Sequence, residues 1–261
     1  MRNILVGAML SAFSTQVGAA TVAESNYRIF AGCPVYRDTD AGRKSGCWLV
    51  QSPVDGVRYD VTMAPVKPDY SHPVLIEGRV SATQDNACGG VVLEPASVSV
   101  LEGSCPRFML PPEGYPGRRF TLPETNVPAL GGKPPTVDGP FTAQTFRIFF
   151  SFNSSFIEYQ SADYYFDKAA TWMRAAKPRR IVVTGYRARQ PIANGAGEFV
   201  SEDVGIARAR ADVIARALVM LGFDKKAIAI KVNQAGGPVE DPAVSGLPEA
   251  SRRRVEIRAE F

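Results

Sequence analysis

The 261-residue sequence predicts an α+β protein of two domains, a small all-β domain followed by an α+β sandwich. Three observations support this division. All four cysteines lie in the first half of the chain, where short segments rich in β-branched residues alternate with turn residues. A proline-rich stretch follows. After it, the hydrophobic periodicity indicates amphipathic helices between strands.

Residues 1–20 have the pattern of a secretory signal peptide. Arg2 precedes an apolar run over residues 4–13, and small residues follow as far as Ala20. The apolar run is about half as long as the ~20 residues that a membrane-spanning helix needs. We therefore expect cleavage after Ala19 or Ala20, with Ala23 as the alternative, and an exported mature chain without a transmembrane segment.

The cysteines, Cys33, Cys47, Cys88 and Cys105, become candidates for disulfides in an oxidising compartment. Of the three possible pairings we favour Cys33 with Cys47 and Cys88 with Cys105. Each of these pairs closes a short, turn-rich loop, which stabilises by roughly 3 kcal/mol in the chain-entropy account. Zinc is the alternative, but the sequence has no Cys-x-x-Cys and His72 is its only histidine. We predict no metal and no cofactor.

The first domain, over residues 24–105, is predicted to be all β. We expect five short strands, over residues 47–50, 57–63, 74–80, 90–93 and 98–101. Gly78 inside the third strand fits a bend in a tightly curled sheet, which favours a small OB-like barrel over a sandwich. With a single histidine, the usual serine or cysteine triad is not available. The domain is therefore expected to be a structural or docking module.

Residues 106–140 are predicted to form a linker, or a strap along a domain surface. Nine prolines in this stretch exclude a continuous helix and favour extended, semi-rigid backbone. Phe108, Tyr115 and Phe120 indicate that part of the segment packs, since a solvated spacer needs no aromatic side chains.

Residues 141–261 are predicted to form a βαβαββ sandwich, with the helices on one face of a mixed sheet. The expected helices cover residues 161–176, ended by Pro178, and 203–221, followed by Gly222 as the residue after the C-cap. The expected strands cover residues 145–152, 180–185, 227–232 and 253–259.

Four motifs in this part, in order, resemble those of the OmpA-like C-terminal domain, the peptidoglycan-associating module of many Gram-negative envelope proteins. The resemblance extends from about Thr145 to Phe261. The family's opening strand and turn are similar to Phe150-Ser151-Phe152-Asn153. The family's Gly-His-Thr-Asp strand end is similar to Gly185-Tyr186-Arg187-Ala188. The family's Leu-Ser-x-x-Arg-Ala helix and Asn-Arg-Arg-Val-Glu-Ile strand are similar to residues 206–211 and 252–257.

The resemblance implies a peptidoglycan site. In the family, the Asp of the strand end binds the ammonium of the diaminopimelate in the stem peptide, and the Arg of the helix binds its carboxylate. Arg210 matches this Arg, whereas Ala188 stands at the Asp position and binds no ammonium. The candidates to replace the missing carboxylate are Glu198, Glu202 and Asp203. For Asp203, the alternative that we prefer is an N-cap of the second helix.

The arginine run Arg252-Arg253-Arg254 admits a simpler interpretation. Strand alternation places Arg253 with Val255, so the charges are expected to decorate an exposed or edge strand. From residue 141 onward, 18 basic residues face 13 acidic ones, a net charge of +5, whereas the preceding part carries −1. A basic module suits peptidoglycan, which carries carboxylates. The export signal argues against nucleic acid as a partner.

Two hypotheses for function follow. The first is a non-enzymatic periplasmic protein that associates with peptidoglycan, near the cell wall or outer membrane, and docks its β domain onto an envelope partner. The second is a scaffold subunit of an envelope machine, such as a secretion system or a flagellar-motor ring, whose OmpA-like domain no longer binds peptidoglycan. Ala188 favours the second hypothesis, whereas Arg210 and the basic charge favour the first.

Overall fold

The structure is a computed structural model that describes residues 26–39, 46–118, 136–159, 161–189, 191–193, 197 and 199–261. The predicted signal peptide and residues 119–135 of the predicted linker lie outside the described residues. No helix in the described ranges has both the length and the apolar composition needed to cross a membrane.

The first domain is a seven-stranded sheet with the strand order β1-β5-β6-β4-β3-β2-β7. One apolar cluster, which includes Phe30, Tyr59, Ile76 and Leu93, forms its main core. The strands are β1 (Tyr27–Gly32), β2 (Pro34–Arg37), β3 (Cys47–Gln51), β4 (Arg58–Asp60), β5 (Val74–Val80), β6 (Val91–Val100) and β7 (Met109–Leu110).

The strand count differs from the five predicted. Residues 90–93 and 98–101 were expected to be separate strands, but β6 is continuous through Pro95. Its first residues pair in parallel with β4, and the rest pair antiparallel with β5. Because proline lacks a backbone N–H, Pro95 indicates the end of a strand in the sequence. A strand can nevertheless include a proline at a position where no N–H donor is needed. The prediction missed β1, β2 and β7.

The predicted disulfide pairing is wrong. The structure joins Cys33 to Cys105 and Cys47 to Cys88. Both bonds link segments far apart in sequence, with separations of 72 and 41 residues, because sheet pairing and not loop length brings the cysteines together. In the chain-entropy account, loops of this length stabilise by roughly 4 kcal/mol each, more than the short loops would have done.

The start of the predicted strap lies on the β domain. Its Met109 and Leu110 form β7, which pairs in parallel with β2. Farther along, the Tyr115 ring lies 3.6 Å from the Arg37 guanidinium carbon, and Arg118 forms ion pairs with Asp60 and Asp85.

The second domain is a four-stranded mixed sheet with the order β12-β9-β13-β8. A small separate hairpin, β10 (Ile192–Ala193) with β11 (Phe199–Val200), precedes the second helix. The sheet strands are β8 (Gln144–Phe149), β9 (Arg180–Tyr186), β12 (Ile228–Asn233) and β13 (Arg254–Glu260). The helices are α1 (Ala162–Ala176), α2 (Ile206–Met220) and the short α3 (Pro248–Arg252).

Both long helices contribute to one apolar cluster with alternate residues of the sheet, such as Ile148, Val183 and Ile257. Helices on one face of a mixed sheet are as the sequence predicted. Gly222 follows the C-cap Leu221 with φ +92°, also as expected. The hairpin and α3 were not predicted, so the observed order of elements is longer than βαβαββ.

The arginine run does not decorate an exposed or edge strand. The strand β13 is central, since it pairs with both β8 and β9. Arg253 is fully buried and Arg254 is 5% exposed. Sequence alternation identified the two faces of β13, but it carried no information on the loop and the neighbouring domain that cover them.

The two domains pack directly on each other. Leu75 of the first domain forms an apolar cluster with Phe152 and Ile192 of the second. At the same interface Arg253 Nη2 lies 2.6 Å from Glu77 Oε1, with both side chains almost fully buried. Each charge of this pair has its partner in the other domain, so removal of either one would leave the other buried and uncompensated at the interface.

Candidate functional site

Arg210 of α2 is completely buried, and every N–H of its guanidinium is used within the chain. Its Nε donates to the Ser154 carbonyl at 2.8 Å. Its Nη1 donates to the Tyr186 carbonyl and to Glu202 Oε2, and its Nη2 donates to the Ser151 carbonyl and to Glu202 Oε1. The five donors of a guanidinium therefore have five acceptors, none of which is solvent.

Glu202 is the charged partner of Arg210, at distances of 2.5 and 3.2 Å for the two oxygens. Each oxygen also accepts a backbone N–H, from Asn153 at 2.9 Å and from Ala188 at 2.7 Å. The carboxylate is thus held by a forked ion pair and two amides, and its side chain is fully buried. Such complete pairing offsets part of the cost of removing a charge from water.

The segment that carries Glu202 lies between the β10-β11 hairpin and α2. The neighbouring residues Ser201 and Asp203 are exposed, so only Glu202 turns inward. Arg187 Nη1 donates to the Glu202 carbonyl at 2.8 Å. Asn153 and Asp203 exchange two hydrogen bonds, from the Asp203 amide and from the Asn153 side-chain amide. These contacts fix the segment on both sides of Glu202.

The close approach of α2 to the sheet depends on Gly185. A Cβ at this position would lie 1.9 Å from the Ala207 carbonyl oxygen, far inside contact distance. Because Gly185 has no side chain, the end of β9 lies directly against the first turn of α2. The Tyr186 carbonyl then reaches Arg210.

Among the sequence candidates, the structure brings together Arg210 and Glu202. Asp203 is not the N-cap that we preferred, because α2 begins at Ile206 with Gly205 as its N-cap. Glu198 lies outside the described residues. Ala188, at the family's Asp position, contributes its backbone N–H instead of a carboxylate.

Burial lowers the pKa of Arg210, while its hydrogen bonds to Glu202 and the charge of that carboxylate oppose the shift. The pair is neutral as a whole, and no donor of Arg210 points outward. The arrangement is therefore a carboxylate clamp that is already closed by a carboxylate of the same chain. In the described part of the chain, no group of three acidic, histidine or cysteine side chains is placed to hold a metal ion.

The clamp is connected to the domain interface through the turn after β8. Within this turn, the Asn153 amide donates to Glu202, and the adjacent Phe152 amide donates to Ser99 Oγ of the first domain at 2.9 Å. Burial raises the pKa of Glu77 at the same interface, although Arg253 and the Ala250 amide favour its carboxylate form. Docking of the first domain thus helps to hold the turn on which the clamp depends.

The second domain matches a known protein family. Residues 149–255 match the model of the OmpA family. The C-terminal domain is an OmpA-family domain. The matched range begins at the end of β8 and includes Arg210, Glu202 and Arg253, whereas the disulfide-bonded domain lies outside it. No curated protein matches the chain.

Several solved structures are similar to the OmpA-like domain. The OmpA-like domain of FopA1 from Francisella tularensis is 18% identical, with 48% of this chain and 76% of that chain covered and a TM-score of 0.35. The peptidoglycan-associated lipoprotein from Burkholderia pseudomallei is 19% identical, with 43% and 87% covered and a TM-score of 0.32. The cell wall anchor of the type VI secretion system from Pseudomonas aeruginosa is 22% identical, with 45% and 81% covered and a TM-score of 0.35.

Sequence analysis missed the partner of Arg253. Nothing near the arginine run identifies Glu77, which lies more than 170 residues earlier, in a strand of another domain. One signal was available. A glutamate in the otherwise apolar first half of Val-Leu-Ile-Glu-Gly-Arg-Val is unusual for a strand that is buried on both faces, and such a residue needs a buried partner.

Proposed function

We propose that this chain is a non-enzymatic structural protein of the bacterial periplasm, in which the OmpA-like domain serves as a packing unit and does not hold peptidoglycan through Arg210. The observation that carries the proposal is the closed ion pair of Arg210 with Glu202. A ligand carboxylate would have to displace a carboxylate that already has four hydrogen-bond donors. Because Glu202 belongs to the same chain as Arg210, its effective concentration at the guanidinium is high, which favours it over the carboxylate of a free ligand.

The docked first domain supports the same proposal. Its sheet covers the turn over residues 151–154 beside the clamp. We propose that this sheet is an OB-like barrel. In such a protein the disulfide-bonded domain stabilises and orients the OmpA-like domain, and an envelope assembly contacts the pair as one unit. The family match favours the periplasm, since the family is one of the cell envelope, and the sequence pattern of residues 1–20 favours export.

A second candidate is peptidoglycan association by exchange of Glu202 for a carboxylate of the stem peptide. Residues 201 and 203–205, on both sides of Glu202, are exposed, so the buried Glu202 side chain belongs to a segment at the surface. This position favours the second candidate. The net charge of +5 from residue 141 onward also favours an acidic polymer. Without an acid at Ala188, however, the ammonium of the ligand has no counterpart at the family's position.

Sedimentation with purified sacculi separates the two candidates, with the full exported chain as wild type, Glu202→Ala and Arg210→Ala. Arg208→Ala is the matched control, since Arg208 lies on the same helix in an exposed pair with Asp212. We expect the wild type and the Arg208 variant to remain in the supernatant.

Sedimentation of the wild type that is retained in Arg208→Ala and lost in Arg210→Ala would overturn the proposal in favour of the second candidate. If only Glu202→Ala sediments, the clamp is competent but closed in the wild type, which agrees with the proposal. Circular dichroism of each variant verifies that it is folded before the comparison is made.

A further inference from the structure

A cleft between the two domains adjoins the Arg210 clamp, with which it shares Ser151. Its volume is about 120 Å³, and it is lined from one side by Pro65, Val66, Ala96 and Ser97 of the first domain. The opposite wall belongs to the OmpA-like domain and includes the start of α1 and the loop before α3. The cleft therefore exists only while the domains are docked.

The walls of the cleft are mostly apolar, with Phe149, Ala162 and Leu247 among them. Hydroxyl groups of Ser97, Ser161 and other residues interrupt the apolar surface. Among the described residues that line the cleft, Glu158 has the only carboxyl group, and none is a lysine, arginine or histidine. Glu158 is half-buried, and burial beside apolar groups disfavours the charged form of a carboxyl unless something positive faces it.

Glu158 has only a weak partner in the described part of the chain. Ser151 Oγ donates to Glu158 Oε1 at 3.2 Å, and this hydrogen bond is the only interaction that favours the charged form of Glu158 there. Burial raises the pKa of this carboxyl, and the Ser151 hydrogen bond opposes the shift only in part. Within the described ranges no cation stabilises the charge of Glu158. The buried carboxylates Glu77 and Glu202, by contrast, each have an arginine partner.

We propose that the cleft between the domains binds a primary ammonium group on a short alkyl stem, with Glu158 as the counter-ion and the apolar walls around the stem. A cavity of about 150 Å³ accommodates benzene, so a cleft of 120 Å³ suits a chain of about four or five carbons. The ammonium donates to the second oxygen of Glu158 and to nearby hydroxyl groups, which matches its three donors. Side chains of lysine type and small diamines share this chemistry.

The test is a titration of the full chain with n-butylammonium, monitored by NMR at the amides of Ser97 and Ser245, one in each domain. Both residues line the cleft. We expect saturable shifts of both amides at neutral pH and no such shifts with n-butanol, which has the same stem but no charge. Affinity should decrease as pH falls through the raised pKa of Glu158, because the protonated carboxyl no longer attracts the ligand.

Glu158→Gln removes the charge with little change of shape and should weaken butylammonium binding by about tenfold or more, the usual value of a hydrogen bond to a charged group. Glu240→Gln is the matched control, because Glu240 is exposed and lies outside the lining. Equal binding by the Glu158 variant, equal binding of butanol, or no saturable shift would each overturn the proposal. Since Arg210 is untouched by these variants, failure here leaves the sacculus result unaffected.

Discussion

Glu202 and Arg210 form a closed, fully hydrogen-bonded ion pair, with both side chains fully buried. The oxygens of the glutamate also accept the backbone amides of Asn153 and Ala188. In the function that we propose, this glutamate takes the place of a ligand's acid, and the family's fold is used without a ligand at Arg210.

The first prediction concerns the strength of this pair. Glu202→Ala leaves the Arg210 charge buried without a partner, and we expect the free energy of unfolding to decrease by about 3–5 kcal/mol. Urea unfolding of the full chain measures the change. Arg208→Ala, which breaks an exposed pair with Asp212 on the same helix, should change it by no more than about 0.5 kcal/mol. Similar losses in the two variants would refute the closed clamp.

The second prediction concerns the interface. Glu77→Gln leaves Arg253 charged and buried, so we expect a loss of about 3–5 kcal/mol and separation of one unfolding transition into two. Calorimetry of the oxidised chain measures both effects. Glu260→Gln is the control, because its pair with Arg258 is exposed and 3.6 Å long. A single transition of unchanged midpoint in the Glu77 variant would contradict a docked pair of domains.

The third prediction tests the disulfide connectivity. Proteolysis of the unreduced protein followed by mass spectrometry should yield one cross-linked peptide pair with Cys33 and Cys105, and another with Cys47 and Cys88. Loss of either bond through a Cys→Ser variant should cost about 2–5 kcal/mol. A peptide that joins Cys33 to Cys47 would support the short-loop pairing and refute the observed sheet.

The fourth prediction concerns Gly185. Ala at this position places a methyl group against the Ala207 carbonyl, so α2 must shift from the sheet, at a cost of about 1–3 kcal/mol or more. Gly205→Ala is the control, because its Cβ would meet nothing within 4 Å and its φ is −78°. Thermal unfolding should separate the two variants, and equal midpoints would contradict the close approach of helix and strand.

The fifth prediction is a dependence on pH. Burial disfavours the charge of Glu256, but hydrogen bonds from Arg254 and Tyr186 together hold its pKa below the ordinary value. A lowered pKa in the folded state contributes stability above the ordinary carboxyl pKa, and this contribution is lost as pH falls through the lowered value. The stability difference between wild type and Glu256→Gln should therefore shrink from pH 7 to pH 3. A constant difference would contradict the prediction.

The OmpA-like domain was largely predictable because its signals are local. Pro178 and Gly222 marked helix ends, and alternation at Val255 and Ile257 marked the core face of a strand. The long-range facts were not predictable. The partners of Cys33 and Arg253 are determined by sheet order and domain docking, which a single sequence does not encode in any local pattern.

The candidate site was predictable only in part. Arg210 and Glu202 were both identified, but their roles were not, because the choice among Glu198, Glu202 and Asp203 depends on how an exposed segment turns. Asp203 has the residue type of an N-cap, but α2 begins at Ile206, and Gly205 is its N-cap. Side-chain direction in an irregular segment is fixed by its contacts, here with Asn153 and Arg187.

The closed clamp is tested most directly by the ¹⁵N-edited NMR signal of the Arg210 Nε–H in the full chain, recorded without and with a soluble muropeptide that carries diaminopimelate. We predict a slowly exchanging signal, protected by its bond to the Ser154 carbonyl, that does not change when the muropeptide is added. A saturable shift of this signal, together with a shift of the Glu202 carboxyl carbon, would contradict the account.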